Sequence, residues 1–468
     1  MTSCIGWLFD VSIDSDYAIV SIKTEAGQIL KLRDPYRPRF YILPGNDADG
    51  LHLFQILSRE EEIAVSWADR YTNLFDRTEQ TKLLYVQLQS SRCYQPLLKK
   101  LQNDCRVKQL FNTDLLHVQQ YLFTKLKIEP ANKVEVKYDD RLKLLEIVKV
   151  DDENDVNPPP FSLLYFDLHT YSGLLASEDS IRIIKVRCGE DEAVFENNEE
   201  SVILQQFSDY VRDKSPDIMV CMGDYDNGKV LRHLMARAEK IGFELQLEKI
   251  YISSSYRKTT YFDQFGFAGL IERARFGFLP LDKAAKYSIN RLIDSRNCYE
   301  LIQQGFVIPS RTHGIDNNNH ENIRTVEQIV SGDKGGMIIS PQIGLHEDVL
   351  ALDYDSEYAN LFVKHNLSYE TVGCKAINSQ NKGLLPTIVE RYLKRRTYFK
   401  KLLKDLPKDS TEYLWCEQRV NSLKNILVCL YGSTGSLWNR FGNVLAFEEI
   451  NRLSREVLIK TKDIVGRP

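Results

Sequence analysis

Residues 349–360 have the sequence VLALDYDSEYAN, in which an apolar run ends in acidic residues. Side chains alternate along a β-strand, so Asp353 would share one face with Val349 while Leu352 points into the core. Carboxylates are preferred ligands of hard cations such as Mg²⁺. The alternative is an ordinary aspartate in the turn that ends the strand. The pattern therefore predicts a strand with Asp353 at its end, and it leaves both roles open.

A basic segment follows at residues 386–404, with the sequence PTIVERYLKRRTYFKKLLK. Pro386 suits the first turn of a helix. The last fourteen residues contain seven basic side chains and no acid. Arg396 and Lys400 are four positions apart, so they share a helical face and together fit a polyphosphate or a nucleic-acid backbone. The alternative is a solvated basic face without a ligand.

A third segment, SLKNILVCLYGSTGS, occupies residues 422–436. Helical spacing puts Lys424, Val428 and Tyr431 on one face, and Gly432 is predicted to end the helix. A lysine and an aromatic ring on one face can hold a triphosphate and stack on a base. The alternative is that the aromatic side chain belongs to the core.

In this order and at these spacings, the three segments resemble the polymerase motifs of family B DNA polymerases, archaeal members especially. The family has Asp-x-x-Ser-Leu-Tyr-Pro, then a helix with Arg-x-x-x-Lys, then a helix with Lys-x6-Tyr-Gly. The matching residues are Asp353, Ser356 and Tyr358, then Arg396 and Lys400, and then Lys424, Tyr431 and Gly432. The N-terminal stretches GWLFDV and RDPYRPRFYI look similar to the same family, so the resemblance covers essentially the whole chain.

The resemblance implies a DNA-directed DNA polymerase that uses Mg²⁺, a DNA primer–template and deoxynucleoside triphosphates. Asp353 would bind the catalytic metal ions, and Tyr358 would stack under the incoming sugar and exclude a 2′-hydroxyl. Nucleotide contacts are implied for the remaining motif residues, with the cations on the triphosphate and the last two against the nascent base pair: Ser356, Arg396, Lys400, Lys424, Tyr431 and Gly432. Phosphoryl transfer through two metal ions needs carboxylates on the metals and cations on the departing charge.

Four further residues are expected to contact DNA. Gly335 and Gly336 match the family's Tyr-x-Gly-Gly segment, with Asp333 in place of the tyrosine. Arg395 and Lys401 lie in the basic segment. The surrounding fold is expected to be α/β and α+β, in several domains. These are a β-rich N-terminal domain, a degenerate RNase H-like 3′–5′ exonuclease-type domain, a linker with the first part of the palm, helical fingers and a final palm helix, at residues 1–150, 151–307, 308–385, 386–445 and 446–468.

Departures from the family affect the metal site. The family's third motif, Asp-Thr-Asp, and the thumb are not found before Pro468. A second polypeptide is therefore expected to supply them, since one carboxylate does not hold two metal ions in the usual way. Asp355 is a less favoured substitute ligand. Glu357 and Ala359 replace Leu and Pro, and the charge of Glu357 is expected to weaken nucleotide binding. Val428 replaces the usual Asn.

The exonuclease motifs also depart from the family. Asp167-Leu-His169 stands where Asp-x-Glu is expected, and Asp226 is a remnant of the second motif, with Met222 in place of Asn. His169 is either a metal ligand or, by the more common role of a lone histidine, a structural residue. A segment for the third motif is not found. The resemblance therefore predicts that proofreading is absent.

Composition bounds the remaining alternatives. The chain has 468 residues, a net charge of −4 and nine cysteines without a Cys-x-x-Cys pair, so neither a zinc ribbon nor a disulfide framework is indicated. The sequence has no long apolar run and no signal-peptide pattern at its start, which predicts a cytoplasmic protein with no membrane contact. The alternative function is a catalytically inactive homologue that acts as a DNA-binding or replication-accessory module.

Overall fold

The structure of the protein is a computed structural model. It describes residues 2–74, 79–150, 154–173, 175, 178–222, 229–245, 250–253, 261–311, 336–337, 339–340, 343–372, 381–436 and 439–465. In that part of the chain the strands form three sheets. Together with the surrounding helices they confirm a mixed α/β and α+β architecture of several domains.

The first sheet is antiparallel and combines three strands from residues 2–35 with two strands from residues 133–149. In spatial order its strands are β3 (Ile29–Pro35), β2 (Tyr17–Thr24), β1 (Thr2–Asp14), β8 (Lys133–Tyr138) and β9 (Leu144–Lys149). Alternating apolar side chains of β1 and β2, among them Leu8, Val20 and Ile22, are fully buried. This period of two is the pattern of a sheet with one face on a core.

A second sheet, of four strands, packs against two helices. Its spatial order is β5 (Ile63–Arg70), β6 (Thr81–Leu88), β4 (Arg39–Pro44) and β7 (Val107–Phe111). The helices are α1 (Asp47–Leu57) and α2 (Tyr94–Gln102). A short 3₁₀ turn, Ser91–Cys93, precedes α2, and α3 (His117–Tyr121) continues as a π-helical turn, Leu122–Leu126.

The third sheet contains Asp167 and His169, the residues compared above with the first exonuclease motif. Its strands, in spatial order, are β12 (Asp191–Glu196), β11 (Ile181–Cys188), β10 (Leu163–Thr170), β13 (Ile218–Met222) and β14 (Ile250–Ser253). β10, β13 and β14 run parallel, and α4 (Glu200–Lys214) and α5 (Lys229–Lys240) lie in the connections between them. The apolar side chains Leu164, Phe166 and Leu168 of β10 are buried, which is the pattern of a strand in a core.

The remaining described elements are helical. They are α6 (Tyr261–Gly277), α7 (Leu281–Lys286), α8 (Ile289–Gln303), α9 (Glu357–Lys364), α10 (Leu384–Leu402), α11 (Thr411–Thr434) and α12 (Val444–Val465). Pro386 lies in the first turn of α10, as its sequence position predicted. None of the described helices is both long enough and apolar enough to cross a membrane.

Helices α6 and α11 interlock at a glycine. Gly266 bends α6, with φ 63° and ψ −172°, a backbone conformation that is essentially restricted to glycine. The side chain of Gln418 fills the space beside it, so that a Cβ at this position would lie 2.2 Å from the Gln418 amide. Gln418 Oε1 accepts a hydrogen bond from the Ala268 backbone N–H at 3.1 Å. The bend in α6 is therefore occupied by a polar side chain of α11.

Two of the predictions about secondary structure are wrong. Residues 349–354 form no strand, and Val349, Leu350 and Leu352 are 74%, 81% and 64% exposed. A strand needs a neighbour for its backbone hydrogen bonds, and none of the strands in the described part of the chain pairs with this segment. Gly432 does not end α11, which continues to Thr434 and has Gly435 as its C-cap.

A buried carboxylate joins three of the helices. Glu272 of α6 is fully buried and accepts hydrogen bonds from Arg395 of α10, Nε to Oε2 at 2.7 Å and Nη2 to Oε1 at 2.8 Å. Arg419 of α11 donates to the same carboxylate. Burial by itself would raise the pKa of Glu272, but the charges of Arg395 and Arg419 outweigh it and lower the pKa to about 2. The two guanidinium groups thus keep the carboxylate ionised inside the core.

Glu272→Gln should reduce the free energy of unfolding by about 3–5 kcal/mol, because two buried guanidinium groups would lose their countercharge. The lowered pKa adds stability that is fully present above the unfolded pKa of glutamate and is lost as the pH falls through about 2. Urea unfolding at pH 7 measures the first effect. Glu146→Gln is the matched control, because its pair with Lys137 is about half exposed, and its midpoint should not change. Equal midpoints for the two variants would contradict this role of Glu272.

Candidate functional site

Helix α10 turns its predicted cationic face toward the loop that precedes α9. Arg396 Nη1 donates a hydrogen bond to Ser356 Oγ at 2.7 Å. Lys400 Nζ donates to Asp355 Oδ1 at 3.1 Å, and Arg396 Nη1 lies 3.6 Å from the same oxygen. Ser356 has a left-handed backbone, with φ 59°, and is the N-cap residue of α9. The structure therefore brings the first and second motifs together.

The two cations differ in their surroundings. Arg396 is 9% exposed, and its Nε is buried without a hydrogen-bond partner in the described part of the chain. The Lys400 side chain is 44% exposed. The hydrogen bond from Lys400 lowers the pKa of Asp355, and the charges of Lys400 and Arg396 act in the same direction. We call the side chains of Arg396 and Lys400 the positive corner. With the buried Nε of Arg396 as a further donor, they suit an anion with several oxygens.

Asp353 precedes Asp355 by two residues, on the exposed segment before α9. Within the described residues it has no hydrogen-bond or ion-pair partner, so its carboxylate is available to a metal ion. The same residues contain no group of three His, Cys, Asp or Glu side chains that could hold a metal together. Asp353 thus fits one Mg²⁺ ligand, whereas a two-ion site is not completed by the described residues. Asp355 is held by Lys400 and Arg396, which disfavours it as the substitute ligand.

An aromatic stack joins α9 to α11 and α12. The rings of Tyr358 and Tyr431 are 4.2 Å apart and nearly parallel, and Phe447 of α12 stacks on Tyr431 at 5.0 Å. The hydroxyl of Tyr431 donates a hydrogen bond to Asn451 Oδ1. Sequence analysis missed Phe447 and Asn451. Their four-residue spacing places both on one face of the last helix, and this was the available signal.

Residues around the stack occupy the predicted faces. Lys424 is exposed on α11 and shares a face with Val428, which is 55% exposed, and with Tyr431. Gly432 is exposed, and a Cβ there would meet no other atom within 4 Å. A Cβ on Gly336 would lie 3.9 Å from the Tyr358 hydroxyl, so Gly336 lies near the stack. Gly335 and Asp333 lie outside the described residues.

Glu357 is turned away from the cations. Its Oε1 accepts a hydrogen bond from Ser454 Oγ of α12 at 2.7 Å. Ala359, which replaces the family's proline, is buried in the first turn of α9. The expected weakening of nucleotide binding by Glu357 stays a prediction, and this geometry limits it to an effect at longer range.

The structure separates the two predicted DNA-binding residues of α10. Arg395 is 9% exposed, and its guanidinium is bound by Glu272. Arg395 therefore belongs to the core, and its prediction as a DNA contact is wrong. Lys401, the next predicted contact, is exposed on α10.

Of the predicted exonuclease remnant, Asp167 and Asp226, the structure describes Asp167, which lies on β10 next to His169. Asp167 and His169 are two positions apart on one face of the strand, and His169 Nε2 lies 2.9 Å from Asp167 Oδ2. Burial, with the nearby charge of Asp167, raises the pKa of Cys221 to about 12, so that thiol is neutral. Met222 is opposite Asp167 in the sheet. Asp226 lies outside the described residues, and the absence of proofreading stays a prediction.

Part of the sequence is similar to known DNA polymerases. Residues 293–381 match the model of DNA polymerase family B. The chain is 29% identical to DNA polymerase 2 of Saccharolobus solfataricus over 204 residues, which are 42% of this chain and 30% of that protein. It is 23% identical to the DNA polymerase alpha catalytic subunit of Xenopus laevis over 195 residues, 38% of this chain and 13% of that protein. This chain thus spans less than a third of these curated relatives.

The fold comparison covers nearly the whole chain. The structure of the family B DNA polymerase from the hyperthermophilic archaeon Pyrobaculum calidifontis matches with a TM-score of 0.76 and 19% identity, over 98% of this chain and 72% of that one. The chain therefore has the family B DNA polymerase fold. Together with the family-model match and the archaeal relatives, this confirms the resemblance that the motifs indicated.

Asp353→Asn should leave the free energy of unfolding unchanged to within about 0.5 kcal/mol, since the side chain is exposed and has no partner among the described residues. Tyr431→Ala should lower it by about 2 kcal/mol, because two ring contacts and a hydrogen bond are lost. Urea unfolding of both variants tests the contrast. A large loss of stability in Asp353→Asn would mean that this carboxylate has a structural role.

Proposed function

We propose that this chain is part of a DNA-directed DNA polymerase, an enzyme that adds nucleotides to a primer under the direction of a template. The observation that carries the proposal is the contact of Arg396 and Lys400 with residues 355 and 356, directly after Asp353. The segment that carries Asp353, the carboxylate that suits a metal ion, is thereby held by two cations. Phosphoryl transfer needs this combination of charges at one point.

The nucleotide would lie between the positive corner and the aromatic stack. Arg396, Lys400 and Lys424 bind its triphosphate, and Ser356 keeps the Arg396 guanidinium in place. Tyr358 lies under the sugar, held flat by its contact with Tyr431. Tyr431 and Gly432 are the proposed contacts of the nascent base pair. Gly432 is exposed on α11 and leaves room for it.

Asp353 supplies one ligand for Mg²⁺, the ion that would activate the primer 3′-hydroxyl and bind the phosphates when present. In this proposal, a C-terminal polymerase segment supplies the other carboxylates and the thumb. The DNA primer–template passes over Lys401 of α10 and the glycines at 335 and 336. The cytoplasmic location and the domain boundaries given above are part of the same proposal.

The alternative, a DNA-binding or replication-accessory module without catalysis, is not favoured. The proteins that this chain matches are named as DNA polymerases or their catalytic subunits.

Primer extension tests the proposed enzyme. The chain, mixed with a polypeptide from the same genome that carries an Asp-Thr-Asp motif and a thumb, should extend a primer with Mg²⁺ and deoxynucleoside triphosphates. Asp353→Asn should slow extension at least about a hundredfold, because a metal ligand contributes several kcal/mol to the transition state. Asp409→Asn is the matched control, an exposed carboxylate after α10, and should extend as wild type. No extension by the wild-type mixture would refute the proposal.

DNA binding tests the role of α10. Lys401→Ala should weaken binding of a primer–template duplex and reduce the slope of log K against log salt by about 1, because one phosphate contact releases fewer counterions. Lys100→Ala removes an exposed lysine from α2 and should leave the slope unchanged. Fluorescence anisotropy at several salt concentrations measures both. Identical slopes for wild type and Lys401→Ala would place the DNA elsewhere.

A further inference from the structure

We propose that Asp355 competes with the nucleotide for the positive corner: in the nucleotide-free chain its carboxylate occupies Arg396 and Lys400, and the triphosphate has to displace it. This inference rests on the proposed function, because it takes these two cations as triphosphate ligands. It adds a specific role for Asp355, a residue between the metal ligand and the N-cap of α9.

Three donors converge on one oxygen of Asp355. Lys400 Nζ is 3.1 Å from Oδ1, Ser356 Oγ is 3.2 Å away and Arg396 Nη1 is 3.6 Å away. An ammonium, a hydroxyl and a guanidinium are the groups that proteins use to bind phosphate oxygens. The Asp355 carboxylate therefore occupies the place that this set of donors offers to a phosphate.

The match between Asp355 and the corner is incomplete. The guanidinium of Arg396 approaches it at 3.6 Å, beyond hydrogen-bond distance, and the buried Nε of Arg396 has no partner in the described part of the chain. A phosphate has more oxygens than a carboxylate and can accept from two guanidinium nitrogens at once. The corner thus leaves unused a donor that a phosphate can engage.

Asp355 can also leave without disturbing the core. Its side chain is 62% exposed, whereas that of Arg396 is 11% exposed. Displacement moves the carboxylate into water, and Arg396 keeps its hydrogen bond to Ser356. The contact is an exposed ion pair, which is weak, so it tunes nucleotide affinity and does not block the site.

The test measures binding of dATP to the chain alone, by calorimetry in EDTA, so that no metal ion contributes. Asp355→Asn should bind dATP about two- to fivefold more tightly than wild type, the range expected when a weak competing ion pair is removed. Inorganic tripolyphosphate should show the same gain, because the competition concerns the phosphates. Added to Lys400→Ala, the substitution Asp355→Asn should give a smaller gain than it gives in the wild-type chain, since one of the two contested cations is gone.

Glu357→Gln is the matched control. It removes the same charge two residues away, from a carboxylate that Ser454 holds and that does not contact the cations. It should gain clearly less affinity than Asp355→Asn. Equal gains would overturn the inference in favour of general repulsion, and unchanged affinity in Asp355→Asn would overturn it outright. Failure of every variant to bind dATP would refute the inference and the proposed nucleotide site, whereas binding without primer extension would refute the proposed enzyme alone.

Discussion

The carboxylate of Glu272 is the constraint on which the candidate site depends. It lies in the core between helices α6, α10 and α11 and holds one guanidinium from each of the last two. Charges buried in this way are stable only when they are paired, so α10 and α11 are fixed in rotation as well as in distance. Arg396 follows Arg395 directly in the chain, and the buried pair therefore sets the direction in which Arg396 leaves α10.

The site has two sides that are built by different forces. The positive corner consists of hydrogen bonds and charges between α10 and the segment before α9. The aromatic side consists of ring contacts that join α9, α11 and α12. Helix α9 contributes to both sides, through its N-cap Ser356 and through Tyr358. A nucleotide that contacts both sides would have its charged groups at the N-cap of α9 and its flat groups at Tyr358, in the first turn of the same helix.

Sequence reasoning succeeded where the information was local. The four-residue spacing of Arg396 and Lys400 gave their shared face, and the position of Pro386 gave the first turn of α10. It failed where a distant partner decides. The basic sequence around Arg395 is typical of a DNA contact, yet its guanidinium is bound in the core by Glu272, which is far away in the chain. Residues 349–354 have the pattern of a strand and lack a neighbouring strand in the described structure. The contact between Asp355 and α10 likewise depends on tertiary geometry.

The bend at Gly266 has a consequence for how this chain can vary over evolution. Its backbone conformation disfavours any residue with a Cβ, and the amide at the end of the Gln418 side chain occupies the space that such a Cβ would take. A larger residue there requires a straighter α6 and a displaced Gln418 side chain. Glycine should therefore be retained at this position in homologues that keep the bend, whereas Gln418 can be replaced without forcing a change at Gly266.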